Sequence, residues 1–213
     1  MTLSIQDHGL NNTITASSRT LDRMNGTIVF RGSNNKVLIG EDTYSISSNF
    51  NIGSDSNIEI GNDCALGGIE IFTETTANIR IGNGCLFIWR TQLLCHEAND
   101  ISVGHGCIFG SDTLVTVSDM HSIIDIETGK RINPSSHIVI GDKVWIAIGA
   151  YVFKGAKIGS GSIIGARSIV TSAIPSNVLA VGAPTKVVKR NVTWKYELVE
   201  LASTITPTIS GVP

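Results

Sequence analysis

From Ile140 onward the chain reads IGDKVW, IAIGAY, VFKGAK, IGSGSI, IGARSI, VTSAIP: six consecutive hexads led by Ile140, Ile146, Val152, Ile158, Ile164 and Val170. An aliphatic residue every six positions without a slip excludes an amphipathic helix, because 3.6 residues per turn would scatter such positions around the axis. Short strands with a turn every six residues fit instead. The fifth positions, Val144, Ala150, Ala156, Ser162, Ser168 and Ile174, are mostly small. Positions one and five share the parity of strand alternation, so both face inward, the large residue filling the interior and the small one permitting a tight corner. The Gly and polar residues between them serve the turns.

Three hexads make an 18-residue coil, and equivalent positions in successive coils stack at about 4.8 Å, the spacing of paired strands. Earlier rungs read VLIGEDTY, IEIGNDCA, IRIGNGCL and ISVGHGCI, with Ile39, Ile60, Ile81 and Val103 separated by 21, 21 and 22 residues. The early coils are therefore longer than 18 and bulged. Fifth positions of these rungs and the next two are Thr43, Cys64, Cys85, Cys107, Val144 and Ser162, so three of the four cysteines share one interior column. There they read as small buried hydrophobes in a reducing compartment; no CxxC pair offers zinc-knuckle spacing.

The beat stops on a histidine. Val103, Phe109 and Val115 lead successive hexads, and the next slot is His121; the expected rung arrives only at Ile140, 19 residues late. The intervening HSIIDIETGKRINPSSHIV is polar, with Gly129 and Pro134, and reads as a loop that leaves the coil at a corner and returns. Long loops on repeat scaffolds concentrate function. An imidazole in an interior slot is costly without partners, so the chain is expected to turn His121 outward at the loop root.

Composition narrows the function classes. The net charge is −2, with 16% charged residues and no concentration of Lys or Arg before the C-terminal region, which argues against a nucleic-acid footprint. The opening MTLSIQDHGL has neither a basic nor an apolar signal region, and the longest apolar run, VWIAIGAYVF, is far short of the roughly 18 residues of a membrane span. The expectation is a cytoplasmic protein.

The hexad pattern over residues 37–184 resembles the hexapeptide-repeat proteins, which implies an all-β fold: a left-handed parallel β-helix of triangular section, with the excursion loop at about 121–139. Residues 1–36, rich in Asn, Ser and Thr, are expected to form an irregular β cap that hides the open end. Residues 185–213 form an extension in which NVTWKYELVELAS suggests a short helix, capped by Asn191 or Thr193, with Trp194, Leu198 and Leu201 on one face. The last ten residues read as a frayed tail.

A second likeness is carried by SDMHSIIDIETGKRIN, by IVIGDKVWIAIGAYVFKGAKIGSGSIIGARSIV and by AVGAPTKVVKR. These resemble the acetyl-CoA-dependent O-acetyltransferases of the hexapeptide family, particularly those acting on bacterial capsular or sialic-acid polysaccharides. The resemblance implies acetyl-CoA as co-substrate, no metal, a glycan acceptor, and a homotrimer with active sites between subunits. A neutral imidazole suits proton removal from a sugar hydroxyl, so His121 is the expected general base, with direct transfer in a ternary complex and no acyl-enzyme. The backbone or indole N–H of Trp145 is the expected oxyanion donor, against an apolar wall role. Asp119 either orients the imidazole or caps the loop turn.

For CoA, the motif matches point to Ala147, Gly149, Gly165, Ala166 and Thr171, with Arg167 reaching phosphate; most of these also serve as turn residues. Lys186, Lys189 and Arg190 bring point charges together that suit nucleotide phosphates, or form a solvated cationic face. Ala147 and Ile148 replace glycines common in the family. Three basic residues, Arg90, Lys130 and Arg131, can meet an anionic glycan. Alternatives are a small hydroxyl acceptor such as a free sugar or antibiotic, and a noncatalytic β-helix used for binding or assembly. A zinc site like that of related β-helix carbonic anhydrases is not expected, since His8, His96, His105, His121 and His137 include no close pair at suitable spacing.

Overall fold

The computed structural model describes residues 2–200. The chain winds as a left-handed, three-sided parallel β-helix. Among the described residues the three faces hold eight, seven and eight strands. Each coil between the first and the last contributes one strand to each face in turn. Thr91–Cys95 lies on face one, Ile101–Val103 on face two and Ile108–Phe109 on face three, before Leu114–Thr116 returns to face one.

The hexad parity is what fills the interior. All six leaders from Ile140 to Val170 are buried, none more than 3% exposed, and the fifth positions from Val144 to Ile174 are buried with them. Leu93, Val115, Val152 and Val170 are register partners in one inward column of face one. Cys64, Cys85 and Cys107 are buried in a second column, each thiol donating to a carbonyl of the next coil: Gly82 at 3.2 Å, Gly104 at 3.1 Å and Gly141 at 3.1 Å. The glycine after each early leader has a steric reason. A Cβ on Gly82 would stand 2.7 Å from the carbonyl carbon of Gly104, so coils could not stack flush there.

The N-terminal residues are themselves coils. Leu3–Asp7 and Gly26–Phe30 extend face one, and Thr13–Thr15 extends face two. The one helix among the described residues is Ser18–Asp22, capped by Ser17 Oγ, which accepts from the Thr20 N–H at 3.2 Å.

The expected C-terminal helix is corrected by the structure: residues 191–200 carry no helix, and Leu201 lies outside the described residues. Lys186–Arg190 instead turns back antiparallel on Val178–Val181. The chain then runs as a strap across face three, where Trp194 Nε1 donates to the Lys143 carbonyl at 2.7 Å and packs on Trp145 with ring centroids 6.4 Å apart. A helix this short is marginal in water without a packed face, and Leu198 is fully exposed, so its proposed apolar face has nothing to bury against.

Candidate active site

The excursion leaves face one after Leu114–Thr116 and re-enters on face two at Ile138–Ile140, so it springs from the corner between those faces. Ser118 and Asp119 begin it. Met120 takes a left-handed φ of 64°, and the His121 N–H closes a tight turn on the Asp119 carbonyl at 2.8 Å. The distal part is a short antiparallel ribbon, with Ile124 bridged to Arg131 and the Ile132 N–H donating to the Ile123 carbonyl at 2.9 Å. His121 is exposed at the root of this ribbon, as its place in the broken beat suggested.

A polar network fixes that root. Glu97, from the preceding coil, receives Arg131 in a bidentate pair with both N–O distances 2.7 Å, and also accepts from Ser118 Oγ. The Arg131 guanidinium, followed by the Ser118 hydroxyl, holds the Glu97 carboxyl well below its usual range, at about 2. Asn133, only 6% exposed, is the hub. Its Oδ1 accepts from the Ile123 N–H at 2.7 Å, and its Nδ2 donates to the His121 carbonyl and to Asp119 Oδ2, each at 2.8 Å.

The hydrogen bonds of the Asp119 carboxylate go to groups other than the imidazole. It is bound by Lys154 Nζ and by Asn133, which lower its pKa, Lys154 foremost. The aspartate is tied to the His121 backbone by the turn and by Asn133, which donates to both residues. Arg131 is likewise committed to Glu97 and does not face an acceptor freely.

Three of the other four histidines are engaged with neighbouring coils. His105 Nδ1 accepts from the Asn83 N–H at 2.9 Å, and His137 Nδ1 from the Asp100 N–H at 3.1 Å. His96 stacks on Phe72 with centroids 4.5 Å apart, and burial lowers its pKa. No group of three or more His, Cys, Asp or Glu among the described residues is arranged to hold a metal ion.

Trp145 stands on face three, half-exposed beneath Trp194. Its backbone N–H is already given to the Ser162 carbonyl at 2.9 Å within the ladder. Of the two donors expected at this residue, only the indole N–H is available.

The other expected residues fall in three places. Ala147, Gly149, Gly165, Ala166 and Arg167 line the corner between faces three and one, where successive turns stack and the Arg167 N–H donates to the Ile148 carbonyl at 2.9 Å. Asp112, Gly149 and Arg167 occupy the same left-handed turn position there, at φ of 58°, 69° and 56°. Beside them a groove of about 440 Å³ is lined by Ile148, Tyr151, Arg167 and Ile169. Gly165 has a packing role, since a Cβ there would stand 2.6 Å from Val181 Cγ1. Thr171 lies apart, in the turn between Val170 on face one and Ile174 on face two. Lys186, Lys189 and Arg190 are exposed on the final strand of face three.

Glu97, Asn133 and Lys154 are the site residues that the sequence pattern does not reveal. Glu97 and Asn133 lie outside the hexads and Lys154 fills an unremarkable third position of one, and they meet only because stacking brings three coils together. His121 and Trp145 therefore sit on different sides of one prism: the imidazole at the corner between faces one and two, the indole on face three.

No family model matches the chain. It is 29% identical over 156 residues to a polysialic acid O-acetyltransferase of Neisseria meningitidis, covering 70% of this chain and 69% of that protein. A polysialic acid O-acetyltransferase of Escherichia coli O1:K1 is 35% identical over 95 residues, which span 45% of this chain but only 31% of the longer relative. Among solved structures, the polysialic acid O-acetyltransferase OatWY superposes with a TM-score of 0.87 at 25% identity, covering 98% of each chain.

Proposed function

We propose, from the premise that the chain is a hexapeptide-repeat O-acetyltransferase, that it moves the acetyl group of acetyl-CoA to a hydroxyl of a bacterial surface glycan. The observation that carries this reading is the placement of His121: an exposed imidazole whose backbone is held on both sides by Asn133 and Asp119, at the root of a loop that interrupts an otherwise regular solenoid. The likeness to OatWY along nearly the whole chain supports it.

In this mechanism the neutral His121 imidazole takes the proton of the acceptor hydroxyl as its oxygen attacks the thioester carbonyl. Charge develops on the carbonyl oxygen, and the Trp145 indole N–H is the donor aimed at it; such donors are worth about 3–4 kcal/mol of barrier. The tetrahedral species collapses with cleavage of the C–S bond, and the imidazolium returns its proton to the departing thiolate. The buried cysteines take no part. Tyr151, Ile148 and Ile169 offer an apolar wall for the extended pantetheine arm, and Arg167, Lys186, Lys189 and Arg190 supply cations for the phosphates of the CoA nucleotide.

The working unit is a homotrimer with sites between subunits. One chain holds His121 and Trp145 on different sides of the prism, and a second copy can bring the missing group. The ribbon also presents Met120, Ile123, Ile124, Ile126 and Ile132 to solvent, a cluster of large apolar side chains suited to a neighbouring subunit.

Incubation of the purified protein with acetyl-CoA and surface polysaccharides or their oligosaccharides tests the reaction. Acceptor-dependent release of free CoA thiol, with acetyl ester on the glycan by mass spectrometry, is expected. Absence of thiol release above background with every glycan and free sugar would refute it.

A further inference from the structure

Face one carries an outward column set by strand register: Thr27, Asn49, Glu70, Gln92, Leu114, Tyr151 and Ile169 follow one another across successive coils. Strand pairing spaces them by about 4.8 Å. The column changes character halfway. Its first four members are polar, and Gln92 Nε2 donates to Glu70 Oε2 at 2.7 Å; its last three are apolar or aromatic. Of the apolar end, Tyr151 and Ile169 line the groove beside Arg167 already assigned to pantetheine, while Leu114 faces a second groove. The polar end opens into that second groove, of about 360 Å³, which shares Asp112 and Tyr151 with the first. That volume is at the lower end of the range of small-ligand sites.

Trp89 forms one wall of the second groove. Three atoms of its benzo ring would lie 2.9–3.3 Å from a Cβ on Gly68, so the absence of a side chain at Gly68 lets the indole rest against the preceding coil. The ring is held on that side and remains 45% exposed. An exposed, backed aromatic ring beside Asn49, Glu70 and Gln92 combines a flat apolar surface with hydroxyl-directed donors and acceptors, which suits a pyranose ring.

Charge decides which kind. Arg90 and Asp112 stack at the left-handed corner and pair at 2.5 Å. The guanidinium is thereby neutralised, and the Glu70 carboxylate remains, hydrogen-bonded only to an amide. With two carboxylates to one cation, the groove repels a carboxylated sugar.

We infer that this groove is the acceptor subsite and that it takes an uncharged, hydroxyl-bearing sugar residue stacked on Trp89, in contrast to the polysialic acid for which the relatives are named. The inference rests on the acetyl-transfer reading. It adds that the acceptor groove adjoins the pantetheine groove, the two sharing Asp112 and Tyr151.

Neutral probes (maltotriose, lactose and a trimer of N-acetylglucosamine) and an α2,8-linked sialic acid trimer are compared as acceptors and, by calorimetry, as ligands. At least one neutral sugar is expected to bind and to be acetylated with kcat/KM at least about tenfold above the sialic trimer, a 1.4 kcal/mol preference. Trp89→Ala is expected to raise the acceptor KM about tenfold, the scale of a lost aromatic contact, with the acetyl-CoA KM unmoved. Glu70→Gln is expected to narrow the preference for neutral sugars, and it serves alone if Trp89→Ala does not fold.

Preference for the sialic trimer, or acceptor KM values untouched by both variants while transfer proceeds, would overturn the subsite and leave the transferase reading standing. Neutral-sugar binding that Trp89→Ala abolishes, without any acetyl transfer, would uphold the groove and sink that reading. Binding of none of the probes would overturn the subsite.

Discussion

The side-chain amide of Asn133 donates to the backbone carbonyl of His121 at 2.8 Å, although the two residues stand twelve positions apart on opposite limbs of the loop. One nitrogen thus ties the residue assigned as base to the returning limb, and through Asp119 and Lys154 to the next coil. The imidazole is positioned by its backbone, while its ring faces solvent.

Asn133→Ala leaves the His121 carbonyl, Asp119 and the Ile123 N–H each short of a partner. Loosening of this kind can cost about a hundredfold in rate for an ångström of misplacement. The expected result is a fall in kcat of about ten- to a hundredfold with the acetyl-CoA KM unchanged, and steady-state kinetics check it. A KM effect alone would point to damage elsewhere.

Acid should release the loop before the solenoid. Glu97 has a folded pKa of about 2, below the ordinary value near 4.3, so its pairing contributes stability that is present above pH 4.3 and lost as pH falls through 2. Hydrogen exchange of residues 119–133 should accelerate across that window in the native protein. Arg131→Gln removes the principal cause of the depressed pKa and should move the onset upward, towards pH 4.

Trp145→Phe tests the indole. The phenyl ring keeps the apolar surface and the ladder bond to Ser162 but has no N–H. A fall in kcat of about 10²–10³-fold is expected from the loss of one oxyanion donor. Full activity would return Trp145 to the role of a wall residue.

Mixing tests the sharing of sites. If His121 and Trp145 act together only across a subunit boundary, His121→Ala and Trp145→Phe chains, each inactive alone, should regain activity when unfolded and refolded together. No recovery in mixed trimers would place both residues of each site in one chain.

The solenoid was largely legible because a six-residue period is imposed by backbone geometry at every turn. Ile140 to Val170 and the column of Cys64, Cys85 and Cys107 fall inward as their parity requires. The outward, exposed position of His121 was legible for the complementary reason: it breaks the period. The partners of that histidine were not legible. Lys154 reaches Asp119 across 35 residues, and no local spacing distinguishes such a cation from one that faces water. The C-terminal segment misled because Trp194 and Leu198 have helical spacing, whereas the Trp194 indole is drawn out of register by the Lys143 carbonyl. At Trp145 the sequence left two donors open, and the ladder bond to Ser162 removes one of them.

The most direct measurement is the rate of acceptor-dependent CoA release by His121→Ala beside the unaltered protein, with thermal melting of both. His121 is exposed, so the melting temperature should hardly move. The rate should fall by about 10²–10⁴-fold, the usual contribution of a general base. A folded variant that transfers acetyl at the full rate would contradict the account.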